Sequence, residues 1–153
     1  MEATDPLSRR LLGYLIERFP PAAYSILVAL FAGSAFLLVR ASQSSDRPLW
    51  VALAAGVVTL LVFLHLRLMD EHKDFDVDAQ AYPDRLLSRG VVTLPVLARV
   101  GVVAVILESA LAFTIGIEAG LAWLLCLGFT IVMRFEFGVG AWLSRHLILY
   151  AVT

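Results

Sequence analysis

Four long runs of apolar residues, separated by polar stretches, constrain this chain more than any other feature of its sequence. The runs cover residues 22–39, 49–69, 94–117 and 119–133. A helix needs about 20 mostly apolar residues to cross the hydrocarbon core of a bilayer. The pattern therefore predicts an all-α, polytopic transmembrane helical bundle with four spans.

The composition supports a membrane protein and excludes several other classes. Hydrophobic residues make up 60% of the chain and the mean hydropathy is +0.85, whereas a soluble domain is roughly 45–50% apolar. The net charge of −1 gives no basis for binding nucleic acid. The single cysteine, Cys126, lies within an apolar run, which excludes a disulfide framework and argues against a catalytic thiol.

The two ends of the chain define its predicted organisation. Residues 6–18 alternate apolar and charged positions at helical spacing, which predicts a short helix in the membrane interface, ended by Pro20 and Pro21. A fifth apolar run begins near His146 and contains only eight residues, too few to span a bilayer. We therefore expect an interfacial segment, 1–21, followed by a truncated transmembrane domain, 22–153.

The distribution of basic residues predicts the orientation of the spans. With four crossings, the N-terminal segment, the 68–93 loop and the 134–145 loop lie on one side and, together with Arg67 and Arg99 at the adjoining helix ends, carry ten of the 12 Lys and Arg residues. Only Arg40 and Arg47 lie on the other side. Because basic loops stay inside, the N-terminus and the 68–93 loop are predicted to be cytoplasmic, at the inner membrane if the source is bacterial.

A cluster of acidic residues directly follows the second apolar run. Its members are Asp70, Glu71, Asp74, Asp76 and Asp78. If the second helix continues past Met69, Asp70, Asp74 and Asp78 share one face, where like charges repel unless a cation binds. Mg²⁺ favours one or two carboxylates together with phosphate oxygens. The spacing thus favours a Mg²⁺ site, and the alternative is a solvated loop between spans.

The residues downstream of the cluster point to a phosphate ligand. A calcium loop beginning at Asp74 is excluded, because Ala79 takes the required glycine position and Arg85 takes the position of the final glutamate. Arg85 and Arg89 are four residues apart and Gly90 follows them. Arginine forks match phosphate oxygens, so the pattern indicates a diphosphate with an apolar tail. Alternatively, both arginines anchor the third span to lipid head groups.

The segment from Asp70 to Gly90 resembles the first signature of the UbiA-type intramembrane prenyltransferases, N-D-x-x-D-x-x-x-D followed by an R-P-x-R-P-type run and a glycine. In a gap-free match, Asp70 takes the asparagine position. Glu71, Asp74 and Asp78 take the aspartate positions, Pro83 and Arg85 match the loop, and Gly90 matches its glycine.

The sequence also departs from that family pattern. Tyr82 stands where an arginine is common, and Leu86 replaces the proline after Arg85. The second signature, D-x-x-x-D, does not occur after residue 78. The resemblance therefore implies a divergent N-terminal half of a roughly nine-helix fold, which we expect to be inactive alone.

The resemblance implies Mg²⁺-dependent transfer of an isoprenyl group from a prenyl diphosphate to an aromatic or lipid-like acceptor. It implies that Asp70, Asp74 and Asp78 bind the metal, with Asp74 and Asp78 as the catalytic pair. Lys73, Arg85 and Arg89 are implied to bind the diphosphate. The prenyl tail is expected to lie between helices, near side chains such as Phe63.

Polar residues inside the spans leave alternatives open. Arg67 is expected to snorkel to the interface. Glu108 is costly within a span unless it is paired or faces a cavity, so it either lines an acceptor pocket or pairs with another helix in the missing half. The alternative function is a small, non-catalytic membrane scaffold or assembly protein. A transporter is less consistent, because its acidic residues are expected within the spans.

Overall fold

The structure, a computed structural model, describes residues 1–43, 48–139 and 142. Arg47, Arg145 and the predicted fifth apolar run from His146 lie outside the described residues. Within them the chain is all-helical. The helices are α1 (Leu7–Arg18), α2 (Pro21–Gln43), α3 (Leu49–Lys73), α4 (Phe75–Ala81), α5 (Leu94–Ile115) and α6 (Ile117–Arg134), with a 3₁₀ turn at Glu136–Gly138.

Four of these helices confirm the predicted spans. Helices α2, α3, α5 and α6 are long and apolar enough to cross a membrane. Helix α2 begins at Pro21, where a proline is favoured because the first helical N–H needs no partner. Helix α1 confirms the predicted short N-terminal helix and ends at Arg18, before the two prolines.

One end of the bundle gathers most of the polar contacts. The Nε2 atom of His72, near the end of α3, lies 3.1 Å from the carbonyl oxygen of Leu94, the first residue of α5. Lys73 Nζ lies 2.7 Å from a carboxylate oxygen of Glu136, just beyond α6. We call this end, where α3 and α6 finish and α5 begins, the polar end. The two loops assigned to one side from charge alone thus lie together.

A small core fixes α1 to the polar end. It comprises Tyr14 of α1, Leu68 of α3, Leu97 of α5, and Leu87 and Val92 of the 82–93 segment. Two polar contacts add to this packing: Arg10 Nη1 donates to the Val91 carbonyl at 3.0 Å, and the Leu86 N–H donates to Glu17 at 3.2 Å. Helix α1 therefore packs against α3, α5 and the 82–93 segment, and it also leads into α2.

Gly90 has a backbone conformation that explains its place in the 82–93 segment. Its φ is +70°, in the left-handed region, and apart from its chain neighbours no atom of the described residues lies within 4 Å of where a Cβ would be. A Cβ would therefore cost backbone energy without a steric clash. We expect Gly90→Ala to lower the free energy of unfolding by about 1 kcal/mol, measured by denaturant titration in detergent micelles.

Gly33 provides the control for that substitution. It lies within α2, and a Cβ at this residue would likewise have no atom within 4 Å. Helical backbone favours alanine over glycine, so Gly33→Ala should not destabilise the protein. If Gly90→Ala were equally harmless, the left-handed conformation at residue 90 would be wrong.

Candidate functional site

The acidic segment, residues 70–78, does not form one continuous helix, which corrects the expectation from sequence. Helix α3 continues past Met69 but ends at Lys73, and Asp74 (φ −104°, ψ 10°) separates it from α4. After this break, Phe75 packs against the core that holds α1. Asp70 therefore lies in the last turn of α3, Asp74 at the junction, and Asp78 in α4.

Asp78 is held by two arginines. Its Oδ2 atom accepts hydrogen bonds from Arg85 Nη1 at 2.6 Å and from Arg18 Nη2 at 3.3 Å. The Arg85 guanidinium also lies 3.6 Å from the centre of the Tyr82 ring, a cation–π contact. The predicted diphosphate ligand Arg85 thus reaches the acidic segment, where it neutralises a predicted metal ligand.

Glu71 faces inwards and forms a second arginine site. Its side chain is 2% exposed, and Oε1 accepts hydrogen bonds from Arg18 Nε and Arg67 Nη2, both at 2.7 Å. Arg67 therefore pairs with a carboxylate one turn further along α3, and its snorkelling to the interface stays a prediction. Glu71 matched a metal-binding position of the family signature, but its carboxylate binds arginines in this structure.

The charges around Arg18 also set the ionisation of the neighbouring groups. Burial by itself would lower the pKa of Arg18, but hydrogen bonds and charge interactions with Glu71 and Asp78 raise it above its usual value. Burial, and then the charge of Glu71, raise the pKa of the Tyr14 hydroxyl. That buried hydroxyl lies beside Glu71 without a hydrogen bond of ordinary geometry. Tyr14 therefore stays neutral beside the carboxylate that both arginines contact.

The remaining predicted site residues do not all lie in one place. Asp70 and Asp74 are exposed at the polar end. Asp70 interacts electrostatically with Asp74, Lys73 and Arg134, so the acidic segment also meets the end of α6. Arg89 lies further away: its Nη2 atom is 3.5 Å from the carbonyl oxygen of Met1. The structure thus brings Lys73 and Arg85 to the acidic residues and places Arg89 at the N-terminus.

A groove of about 550 Å³ runs between α3, α5 and α6 from the polar end towards the interior. Its polar lining residues are His65, His72 and Arg134, and the rest of its wall is apolar, including Met69, Val102 and Leu127. Met69 is the residue directly before Asp70. The acidic segment therefore borders the mouth of an apolar groove of the size that small-molecule sites have, about 300–1,000 Å³.

The buried interior contains a polar network joining three helices. Glu108 of α5 is fully buried, and both of its carboxylate oxygens lie 2.9 Å from Nδ1 of His65 on α3. Nε1 of Trp123, on α6, donates to Oε2 of Glu108 at 3.2 Å. Glu108 is therefore paired, but its partners belong to α3 and α6 of this chain and not to a helix of a missing half, which corrects that expectation.

The predicted metal ligands fit Mg²⁺ only in part. No group of three or more His, Cys, Asp or Glu side chains in residues 1–43 and 48–139 is arranged to hold a metal ion. Asp70 and Asp74 nevertheless form an exposed, mutually repelling pair, and Mg²⁺ needs only one or two carboxylates when a phosphate supplies further oxygens. Asp78, held by its arginines, stays a predicted ligand.

Sequence reasoning missed three of these contacts. The Arg67–Glu71 pair could have been found, because the residues are four apart on one helix. The role of Arg18 could not, since it depends on the fold of α1 against α3 and α4. The contact of Glu108 with Trp123 likewise depends on how α5 and α6 pack.

Comparison of the chain with models of protein families, with curated proteins and with solved structures finds no match in any of the three. The protein is all-helical in its described residues, and it has four helices that suit a lipid bilayer.

Proposed function

We propose that the chain binds a prenyl diphosphate with Mg²⁺ and belongs to a membrane-embedded prenyltransferase acting on an aromatic or lipid-like acceptor. The observation that supports this most is the continuity between the acidic segment and the apolar groove. Met69 lines the groove, and the next residue, Asp70, interacts electrostatically with Arg134, which lines the groove as well. A ligand with an anionic head and an apolar tail would fit an apolar groove that has charged residues at its mouth.

The two parts of such a ligand would divide between the two regions. The diphosphate would lie at the polar end, where Lys73 and Arg134 provide cationic groups. The prenyl tail would lie in the groove, against apolar residues such as Val105 and Ile106. Burying that tail contributes about 0.8 kcal/mol for each CH₂ group, so a geranyl tail contributes substantially to affinity.

Asp70 and Asp74 would hold the Mg²⁺, and Asp78 would join them on ligand binding. When bound, Mg²⁺ would neutralise the diphosphate and so make it a better leaving group. Moving the Asp78 carboxylate to the metal would release Arg85 and one contact of Arg18. Their guanidinium groups would then be available to the diphosphate oxygens. Glu71 would keep Arg18 in place through this exchange.

In the proposed reaction, the bond between the prenyl carbon and the diphosphate oxygen breaks, and its electron pair leaves with the diphosphate. A new bond forms between that carbon and the acceptor, which loses one proton. The arginines and Lys73 would stabilise the leaving diphosphate through positioned charge. Arg89, which contacts Met1, is the weakest of the predicted diphosphate ligands.

A binding measurement tests the proposal without requiring turnover. The full chain in lipid nanodiscs should bind geranyl diphosphate in the presence of Mg²⁺ and release it when the metal is chelated. The matched probe is geraniol, which has the same tail without the diphosphate and should bind independently of Mg²⁺. If geranyl diphosphate showed no Mg²⁺-dependent binding, the proposal would fail and the non-catalytic scaffold would be the better interpretation.

A further inference from the structure

The Nε2 atom of His65 is a buried polar atom with no hydrogen-bond partner within the described part of the chain. The residue as a whole is 3% exposed and lines the groove between α3, α5 and α6. An orphaned polar atom in an apolar region is costly, and such atoms in a native protein call for a specific explanation. The function proposed above makes no use of this atom.

The hydrogen bonds of His65 determine what Nε2 offers to a ligand. Nδ1 is equally distant, 2.9 Å, from both oxygens of Glu108, as suits an N–H shared between two equivalent carboxylate oxygens. Trp123 donates to the same carboxylate, so Glu108 acts as an acceptor. With its proton on Nδ1, a neutral imidazole has a lone pair on Nε2. A proton on Nε2 would instead leave an N–H donor without a partner in an apolar wall.

A water molecule is a poor partner for this nitrogen. Buried waters typically make two to four hydrogen bonds, and the residues lining the groove around His65 are apolar, among them Leu68, Gly101 and Val105. The other polar lining residues, His72 and Arg134, belong to the polar end. His72 is seven residues from His65, about 10 Å along the helix. A hydroxyl carried on an apolar molecule satisfies Nε2 without leaving other polar groups unpaired.

We propose that the groove binds an apolar phenol or alcohol whose hydroxyl donates a hydrogen bond to Nε2 of His65. The apolar body of the ligand lies against the groove wall, and the Glu108 carboxylate fixes the ring so that the lone pair accepts. Met69, one turn from His65 on α3, is a flexible side chain that can move aside for the ligand. This inference concerns binding and does not depend on prenyl transfer.

The test uses two probes that differ only in the hydrogen-bond donor, 4-nonylphenol and its methyl ether, 4-nonylanisole. The full chain, labelled with ¹⁵N-histidine, is studied by NMR in lipid nanodiscs, and the His65 signals are assigned by their loss in His65→Gln. Without ligand, Nε2 should give the signal of an unprotonated nitrogen that has no hydrogen bond. The phenol should move that signal towards the hydrogen-bonded position, and the ether should not.

His72 serves as the internal control because it lines the same groove but its two nitrogens already face the Leu68 and Leu94 carbonyls, at 2.7 and 3.1 Å. Its signals should not respond to the phenol. The inference is overturned if both probes shift Nε2 equally, or if neither does. It is also overturned if Nε2 is protonated, or is already hydrogen-bonded to water, before ligand is added.

Discussion

Replacing Glu71 by alanine should lower the free energy of unfolding by about 3 kcal/mol. The substitution leaves Arg18 and Arg67 without the buried carboxylate oxygen that both of them contact at 2.7 Å. The side chains of these arginines are 17% and 25% exposed, so water compensates part of the lost hydrogen bonding. The loss of stability therefore lies at the lower end of the range for breaking a buried ion pair. Denaturant titration in detergent micelles, followed by tryptophan fluorescence, measures it.

Two further variants make that result specific. Glu71→Gln keeps one oxygen that can accept hydrogen bonds from the arginines but removes the negative charge, so its stability should fall between those of wild type and Glu71→Ala. Asp76→Ala removes an exposed carboxylate from α4 and should stay within about 0.5 kcal/mol of wild type. A Glu71→Ala protein as stable as Asp76→Ala would show that Glu71 does not hold the two arginines.

The second large effect is expected at Glu108. Glu108→Leu should lower the free energy of unfolding by about 3 kcal/mol, since each of two buried donors left unpaired costs roughly 1–3 kcal/mol. Those donors are Nδ1 of His65 and Nε1 of Trp123. The exposed Glu118 at the start of α6 provides the control, because Glu118→Gln removes a charge without unpairing a buried group.

A double-mutant cycle separates the pairing of Glu108 from its packing. His65→Leu together with Glu108→Leu removes the donor and the acceptor at once, which can be far less costly than removing one. We expect the double variant to be more stable than the sum of the single effects predicts, by about 1 kcal/mol or more. Additive effects would mean that the two side chains do not interact.

The spans were predictable from sequence because apolar length is a strong signal for a bilayer helix. Predicted runs 94–117 and 119–133 correspond to helices Leu94–Ile115 and Ile117–Arg134. The runs 22–39 and 49–69 gave helices that extend further, to Gln43 and Lys73. Hydropathy locates only the apolar part of a helix, whereas backbone hydrogen bonds continue the helix through the polar residues that follow.

The candidate site was less predictable because its contacts join distant segments. Helical spacing correctly selected Asp70 and Asp74 as neighbours, but it could not show that α3 ends at Lys73. It also could not show that Arg18, 60 residues away, holds Asp78. Likewise, the sequence indicated that burying Glu108 within a span costs free energy, but its partners depend on helix packing.

The proposed function requires the acidic segment to bind the diphosphate of a prenyl ligand together with Mg²⁺. The most direct measurement is the affinity of the full chain in nanodiscs for geranyl diphosphate at saturating Mg²⁺. It compares the Asp74→Ala, Asp78→Ala double variant with Asp76→Ala, each checked for folding by its unfolding transition. The double variant should bind at least about tenfold more weakly than wild type, or about 1.4 kcal/mol, while Asp76→Ala binds normally. Equal affinity in all three folded proteins would contradict the claim.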